Sequence, residues 1–361
     1  MQSHKEDAVR FPQGRLVHLM VLLALTFPVL AHAESPAYEI RARISVAGDG
    51  GWDLLALDSA RHHLFVSRGT RVQVVDVERD TLVAEIQNTP GVHGIAIAPE
   101  FGHGFTTNGR DSSVTVFDLA TFAVVANVKL AARNPDAITY DPASRRVFAM
   151  NAGSSNVTAI DATSNTIAGT VSLGGRPELA VADGSGKLFV NLEDSSAVVA
   201  VDTRALKVLS TWPLAPGEEP TGLAMDIKHR RLFAGCHNHR MIVLDAVSGK
   251  RVADLPIGDG VDGVAFDPAL GRALSSNGDG TLSVIQQDSA DRYHALADVP
   301  TQRGARTLTL DEGTHRVYTV TSEFGETPAA TPEYPHPRPS LKPGTFTVLV
   351  LDAKGAAPAQ H

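Results

Sequence analysis

Residues 133–171 read RNPDAITYDPASRRVFAMNAGSSNVTAIDATSNTIAGTV, and the pattern of this stretch decides the fold. Four short runs rich in Val, Ile, Phe and Thr alternate with turn residues such as Asp141-Pro142, Gly153-Ser154 and Thr163-Ser164. Runs of that length, bounded by Asp, Asn, Gly and Ser, are antiparallel strands joined by tight turns. No segment after the N-terminal leader keeps a 3.6-residue apolar period, which excludes amphipathic helices. The unit recurs along the chain. Its equivalents begin near Gly51, Gly91, Arg133, Gly175, Glu218, Gly260 and Gln302, at spacings of 40, 42, 42, 43, 42 and 42 residues. Seven units of that size with four strands each predict an all-β fold, a seven-bladed β-propeller of four-stranded antiparallel blades.

The closure of the ring follows from a defect in the repeat. The seventh unit stops after its third strand, TFTVLVLD (345–352), and the KGAAPAQH that follows has no strand character. YEIRARISV (38–46) stands before the first unit just as LVAEI (82–86) and FAVVANV (122–128) stand before the next two. The N-terminal strand is therefore expected to complete the last blade, hiding two edges that would otherwise invite pairing.

Arg10 and Arg15 precede an apolar run of 15 residues, Leu16 to Leu30, that ends in Ala31-His32-Ala33. This is the layout of a secretory signal peptide with an A-x-A cleavage site. The run carries a histidine and a proline and falls short of the roughly 20 apolar residues of a spanning helix. The expectation is that 1–33 are removed and that 34–361 form one exported, periplasmic domain, a monomer. Removal takes Lys5, Arg10 and Arg15 against Glu6 and Asp7, so the formal charge moves from −8 to −9. Such acidity, with only 6% aromatic residues, argues against nucleic acid as a partner. A single cysteine, Cys236, excludes an intrachain disulfide, a CxxC redox pair and a CxxCH haem attachment. HExxH, GxSxG, Walker A and EF-hand patterns are also missing.

The second strand of several units ends in Phe105-Thr-Thr-Asn108, Phe148-Ala-Met-Asn151 and, more loosely, Leu274-Ser-Ser-Asn277. In these motifs the chain resembles the YVTN-repeat, YncE-like family of bacterial periplasmic propellers, and the resemblance implies the same fold and compartment. Arg68, Leu192, Cys236 and Thr321 stand where that asparagine would be. A propeller hosts unlike functions, so function has to be sought where units depart from one another.

Residues that recur in every unit belong to the scaffold. Acids close the first strand at Asp58, Asp141, Asp183, Asp226, Asp267 and Asp311. A basic or imidazole group follows each at His63, Arg146, Lys187, Arg231, Arg272 and Arg316, which predicts a cross-turn ion pair at each first hairpin. A second set, Asp76, Asp118, Asp161, Asp202, Asp245 and Asp352, closes the third strand and is expected to accept backbone N–H groups of the next turn; Gln286 is its exception.

One register is polar without being uniform. Asp53, His93, Asp136, Glu178, Thr221, Asp262 and Arg306 lie 40, 43, 42, 43, 41 and 44 residues apart, one per blade, just before each innermost strand. Equivalent positions in a propeller ring one mouth of the central channel. Scaffold repetition would give one residue type, so differing polar groups predict a ligand site; the alternative is a hydrated mouth that binds only water. Turns between second and third strands open on the same face and bring Asn191, Glu193 and Asp194 of the fourth unit, Asn277 and Asp279 of the sixth, and the CHNH run, Cys236 to His239. Thiolate and imidazole suit zinc or copper, but Cys236 and His237 are adjacent in a tight turn and point apart. Cys236 reads as a packed residue and His237 as the imidazole that joins the mouth.

The insert TSEFGETPAATPEYPHPRPSLKPG (321–344) interrupts the seventh unit on the mouth side. Six prolines favour an extended excursion that could cover the channel or present Phe324, Tyr334 and His336 to a partner. Two functions fit. In the first, the chain is a binding module whose mouth takes a small ligand, a divalent metal or metal complex, or a protein partner, through Asp53, His93, Asp136, Glu178, Asn191, Asp262, Asn277 and Arg306. In the second it is a metal-assisted hydrolase or lyase, lactonase-like, with Glu178, Asp262 and His237 as candidate metal ligands and His237 as general acid or base.

Overall fold

A computed structural model describes residues 1–2, 8, 36–331, 337 and 339–355. Most of the expected leader lies outside the described residues, as do Tyr334 and His336 of the insert. The chain from residue 36 forms seven antiparallel blades in a ring. The innermost strands are Leu55–Asp58, Val92–Ala98, Pro135–Asp141, Pro177–Ala182, Pro220–Asp226, Val261–Asp267 and Leu308–Asp311, and each packs beside the next, the last returning to the first. Blade 7 has the order Tyr38–Ser45, Thr347–Ala353, Arg316–Thr321, Leu308–Asp311, so the N-terminal strand supplies its outer edge. In blade 6 two short strands, Arg292–Ala295 and Val299–Pro300, share the outer position in place of one.

The core lies between blades, in seven hydrophobic clusters, one at each interface. Middle strands are buried on both faces, and this is why they read as unbroken apolar runs. In His63–Arg68, Leu64 and Val66 pack on blade 7 while Phe65 packs on blade 2. Each such side chain contributes on the order of 2 kcal/mol. Outer strands alternate exposed and half-buried residues.

Every blade from 1 to 5 carries one extra residue in its outer strand at the same depth: Val83, Val125, Ala168, Leu209 and Val252 are skipped in the pairing. The closing strand does likewise at Arg41. These are β-bulges, and they leave Val83, Val125 and Leu209 exposed.

The expected first-hairpin ion pairs are not formed among the described residues. The first-strand acids instead cap their own turns: Asp58 accepts from the Arg61 N–H at 3.2 Å, Asp141 from the Ser144 N–H at 3.1 Å and Asp267 from the Leu270 N–H at 3.0 Å. Arg231 stands opposite both Asp226 and Asp245. Asp226 is already taken by His229 and Gln287, so Arg231 donates to Asp245, the acid that closes the third strand, at 2.7 Å. Arg316 likewise donates to Asp352 at 2.9 Å, while Asp311 accepts from its own turn. The third-strand aspartates accept turn N–H groups as their position predicts, Asp118 from Thr121 at 2.7 Å and Asp202 from Ala205 at 2.7 Å.

Close contact of the innermost strands sets the mouth. A Cβ at Gly94 would lie 2.8 Å from the Asp136 carbonyl oxygen and from the Ile138 nitrogen, so only glycine lets the strand bearing His93 approach the strand bearing Asp136.

Candidate functional site

Short polar side chains hold the ring of non-repeating groups in place. Thr107 of blade 2 donates to the carbonyl of Asp136, Ser276 of blade 6 to that of Arg306 at 2.5 Å, and Thr307 to that of Asp53 at 2.9 Å. Asn191 belongs to this set. Its amide donates to the carbonyls of Thr221 and Gly222, both at 3.0 Å, and it does not line the mouth. Asn277 is also spent in the scaffold, donating to Thr281 and Ser283 at 3.0 Å each, as Asn108 and Asn151 do in their blades. The sequence placed both among the ligand-binding groups; the structure gives them to blade geometry. Thr221, too, is consumed, its hydroxyl donating to the Val261 carbonyl at 2.8 Å.

Asp53, His93, Asp136, Glu178, Asp262 and Arg306 line one cavity of about 450 Å³ at the mouth. His237 and Glu193 join them from their turns, as the sequence led one to expect, together with Arg176, which sequence reasoning had not placed there. A signal for Arg176 was present: it stands two residues before Glu178, so in an extended chain both side chains share a face. With all groups ionised, five carboxylates (Asp53, Asp136, Glu178, Glu193, Asp262) face two guanidinium groups (Arg176, Arg306), leaving three negative charges.

The charges are not shared evenly. Arg176 reaches Glu193 at 2.7 Å and Glu178 at 3.2 Å. Arg306 donates to Asp262 at 2.6 Å and lies 3.8 Å from Asp53. Among the described residues Asp136 has no arginine at ion-pair distance; its partner is His93, whose Nδ1 lies 3.6 Å from Asp136 and 2.6 Å from Asp53. The hydrogen bond to Asp53 raises the His93 pKa, against the opposing effect of burial, with further help from Asp136. Burial pushes Asp136 up to about 6. Burial, then the neighbouring Asp136 and Glu193, hold Glu178 far above the ordinary carboxylate range, and burial raises Asp262 despite Arg306. These groups share one cause: negative charge crowded where water is scarce.

Glu178, Asp262 and His237, the metal ligands expected from sequence, do not form one ligand set. Among the described residues, the donor atoms that come within 4.8 Å of one another are those of Asp53, His93 and Asp136. His237 stands at the rim, its Nδ1 3.5 Å from Glu219 and its side chain 40% exposed. His239 is exposed beside Asp259. Cys236 is buried against Ile242 and Leu244, with its thiol on the Ala234 carbonyl at 3.7 Å. Burial pushes that thiol up to about 12. Native protein is therefore expected to resist thiol reagents at about pH 8 and to react fully once unfolded; rapid labelling of the native state would place Cys236 at the surface.

No family model matches the chain, and no curated protein does. Among solved structures, it superposes on the structure of U3-55K with a TM-score of 0.72 at 9% identity, covering 89% of this chain and 99% of that one. It also superposes on a chain of the mitotic checkpoint complex with a TM-score of 0.70 at 12% identity, covering 94% and 99%. At such identities the likeness establishes the seven-bladed propeller and nothing finer.

Proposed function

We propose that this chain is an exported propeller, similar in its strand motifs to the YVTN-repeat proteins, that serves as a binding module and takes a cation into its acidic mouth. The observation that carries this reading is the trio Asp53, His93 and Asp136, whose donor atoms lie within 4.8 Å of one another inside a cavity with an excess of carboxylates. Two carboxylates and an imidazole suit a divalent ion such as Mn²⁺ or Zn²⁺. Asp136, without an arginine, gains most from one. The leader-like order of basic, apolar and small residues over 1–33 supports export. A chain of a protein complex shares the fold, which supports a protein partner whose cationic side chain enters the same mouth. The catalytic reading has less behind it, since His237, its acid or base, stands at the rim and outside the trio.

Calorimetric titration with Mn²⁺ at about pH 7.5 tests the proposal, since Asp136, raised to about 6, is then ionised and a bound metal displaces any proton left on His93. One site is expected, lost in Asp136→Asn and in Asp53→Asn while both variants still melt cooperatively. No heat and no rise in melting temperature with Mn²⁺, Zn²⁺ or Ca²⁺ would overturn it.

A further inference from the structure

The mouth does not end at its carboxylates. Beside it lies a second cavity of about 420 Å³ that shares Gly260 and Arg306 as a common wall. Its chemistry differs: Trp52, Phe324, Pro339 and Leu341 give it a mainly apolar lining, with the Arg303 guanidinium over the Phe324 ring at 5.3 Å. Trp52 is the residue before Asp53, so one peptide step separates the aromatic wall from the acidic one. The rings of Trp52 and Phe324 stand 6.2 Å apart at 54°, forming a corner. Phe324 and Leu341 come from opposite ends of the proline-rich insert, which pair with each other: Gly325 N–H donates to the Ser340 carbonyl at 2.8 Å and Lys342 N–H to that of Glu323 at 2.9 Å. Phe324 also lies over Gly304, where a Cβ would come within 2.6 Å of its ring. The insert thus adds an aromatic wall beside the mouth, against a Trp52 that also packs on Phe346 of the insert's own blade at 5.6 Å.

We infer that the natural ligand of the mouth is an amphipathic organic cation, an ammonium or guanidinium group joined to a flat apolar body. This rests on the cation reading given above. The charged head replaces a metal ion among Asp53, Asp136 and His93, and the body lies in the Trp52–Phe324 corner. The choice of charge follows from the acidic side: Arg306 is already paired with Asp262 at 2.6 Å, and Arg303, the other guanidinium of the aromatic cavity, lies over the Phe324 ring at 5.3 Å. A cationic head therefore belongs among the carboxylates of Asp53 and Asp136, and only an uncharged flat body belongs in the corner. A combined space of this size and two-sided lining suits a small organic ligand.

Tryptamine, ethylammonium and indole-3-propionate serve as probes on the full exported chain, with Mn²⁺ as a separate report on the carboxylates. Tryptamine is expected to bind at least about tenfold more tightly than ethylammonium, and indole-3-propionate not at all. Phe324→Ala should lower tryptamine affinity by about tenfold and leave Mn²⁺ affinity unchanged, whereas Asp136→Asn should weaken both. The inference is overturned if indole-3-propionate binds as well as tryptamine, or if Phe324→Ala binds tryptamine like the parent. Mn²⁺ binding without tryptamine binding removes this inference alone; absence of both removes the acidic-mouth reading with it.

Discussion

With divalent ions chelated away, the Asp136→Asn variant should keep about 3 kcal/mol of stability that the parent loses as pH rises from about 4 to about 7. The sign follows from where the proton sits. Burial moves the Asp136 carboxyl from 3.8 up to about 6, so between those values the folded protein holds a proton that the unfolded chain has released. Stability then falls as pH climbs, by about 1.4 kcal/mol for each of about two units. His93 acts in the same direction, its raised pKa giving a contribution that is complete at low pH and fades as pH passes that raised value. The turn aspartates have the opposite sign. Backbone hydrogen bonds, from Thr121 to Asp118, from Ser164 to Asp161 and from Ala205 to Asp202, lower their pKa values, so their contribution is lost only as pH falls into the carboxylate range. Acid unfolding and mouth ionisation therefore occupy separate windows. Urea unfolding of parent and variant at a series of pH values reads the difference directly. Parallel curves would mean that Asp136 is not the desolvated acid of the mouth.

Removal of residues 36–46 should produce the largest loss. That segment hydrogen-bonds along the whole of Thr347–Ala353 and sends Tyr38 into the blade 6–7 cluster and Ile44 and Val46 into the blade 7–1 cluster. Tyr38→Ala alone is expected to cost about 3–5 kcal/mol. Loss of the entire strand also opens the ring at two interfaces, so the truncated chain should show no cooperative thermal transition. A synthetic peptide of residues 36–46 added in trans should restore part of it. Truncation only through residue 35 is the control and should melt like the parent. A truncated chain that melts at the parental temperature would show that the ring holds without its clasp.

Period and phase were open to reading from the chain alone, because the same strand-turn rhythm repeats seven times and any position can be carried from blade to blade. That is why Asp53, Glu178, Asp262 and Arg306, up to 253 residues apart in sequence, could be assigned to one opening before the structure placed them there. Partner choice was not open in the same way. Arg231 stands opposite both Asp226 and Asp245, and which one it meets depends on what else each carboxylate holds: Asp226 is taken by His229 and Gln287, which spacing along the chain does not reveal. Asn191 and Asn277 stand at the ends of their second strands and not in the turns that follow, and the direction of an amide is settled by the nearest carbonyl or hydroxyl. The insert's place on the mouth side and Phe324 were legible, but the aromatic cavity was not, because the insert has no periodicity and only the pairing of its ends brings Phe324 and Leu341 beside Trp52.

The extra residue in the outer strands bears on how these molecules coexist in a crowded compartment. A propeller has as many unpaired sheet margins as blades, each a potential template for a neighbouring chain. In blade 1 the skipped Val83 cuts the margin into Thr81-Leu82 on one side and Ala84-Glu85-Ile86 on the other, too short for an incoming strand to dock in register. The interruption falls at one depth in blades 1 to 5 and in the closing strand of blade 7, so on those edges the backbone itself works against a neighbouring chain pairing in register.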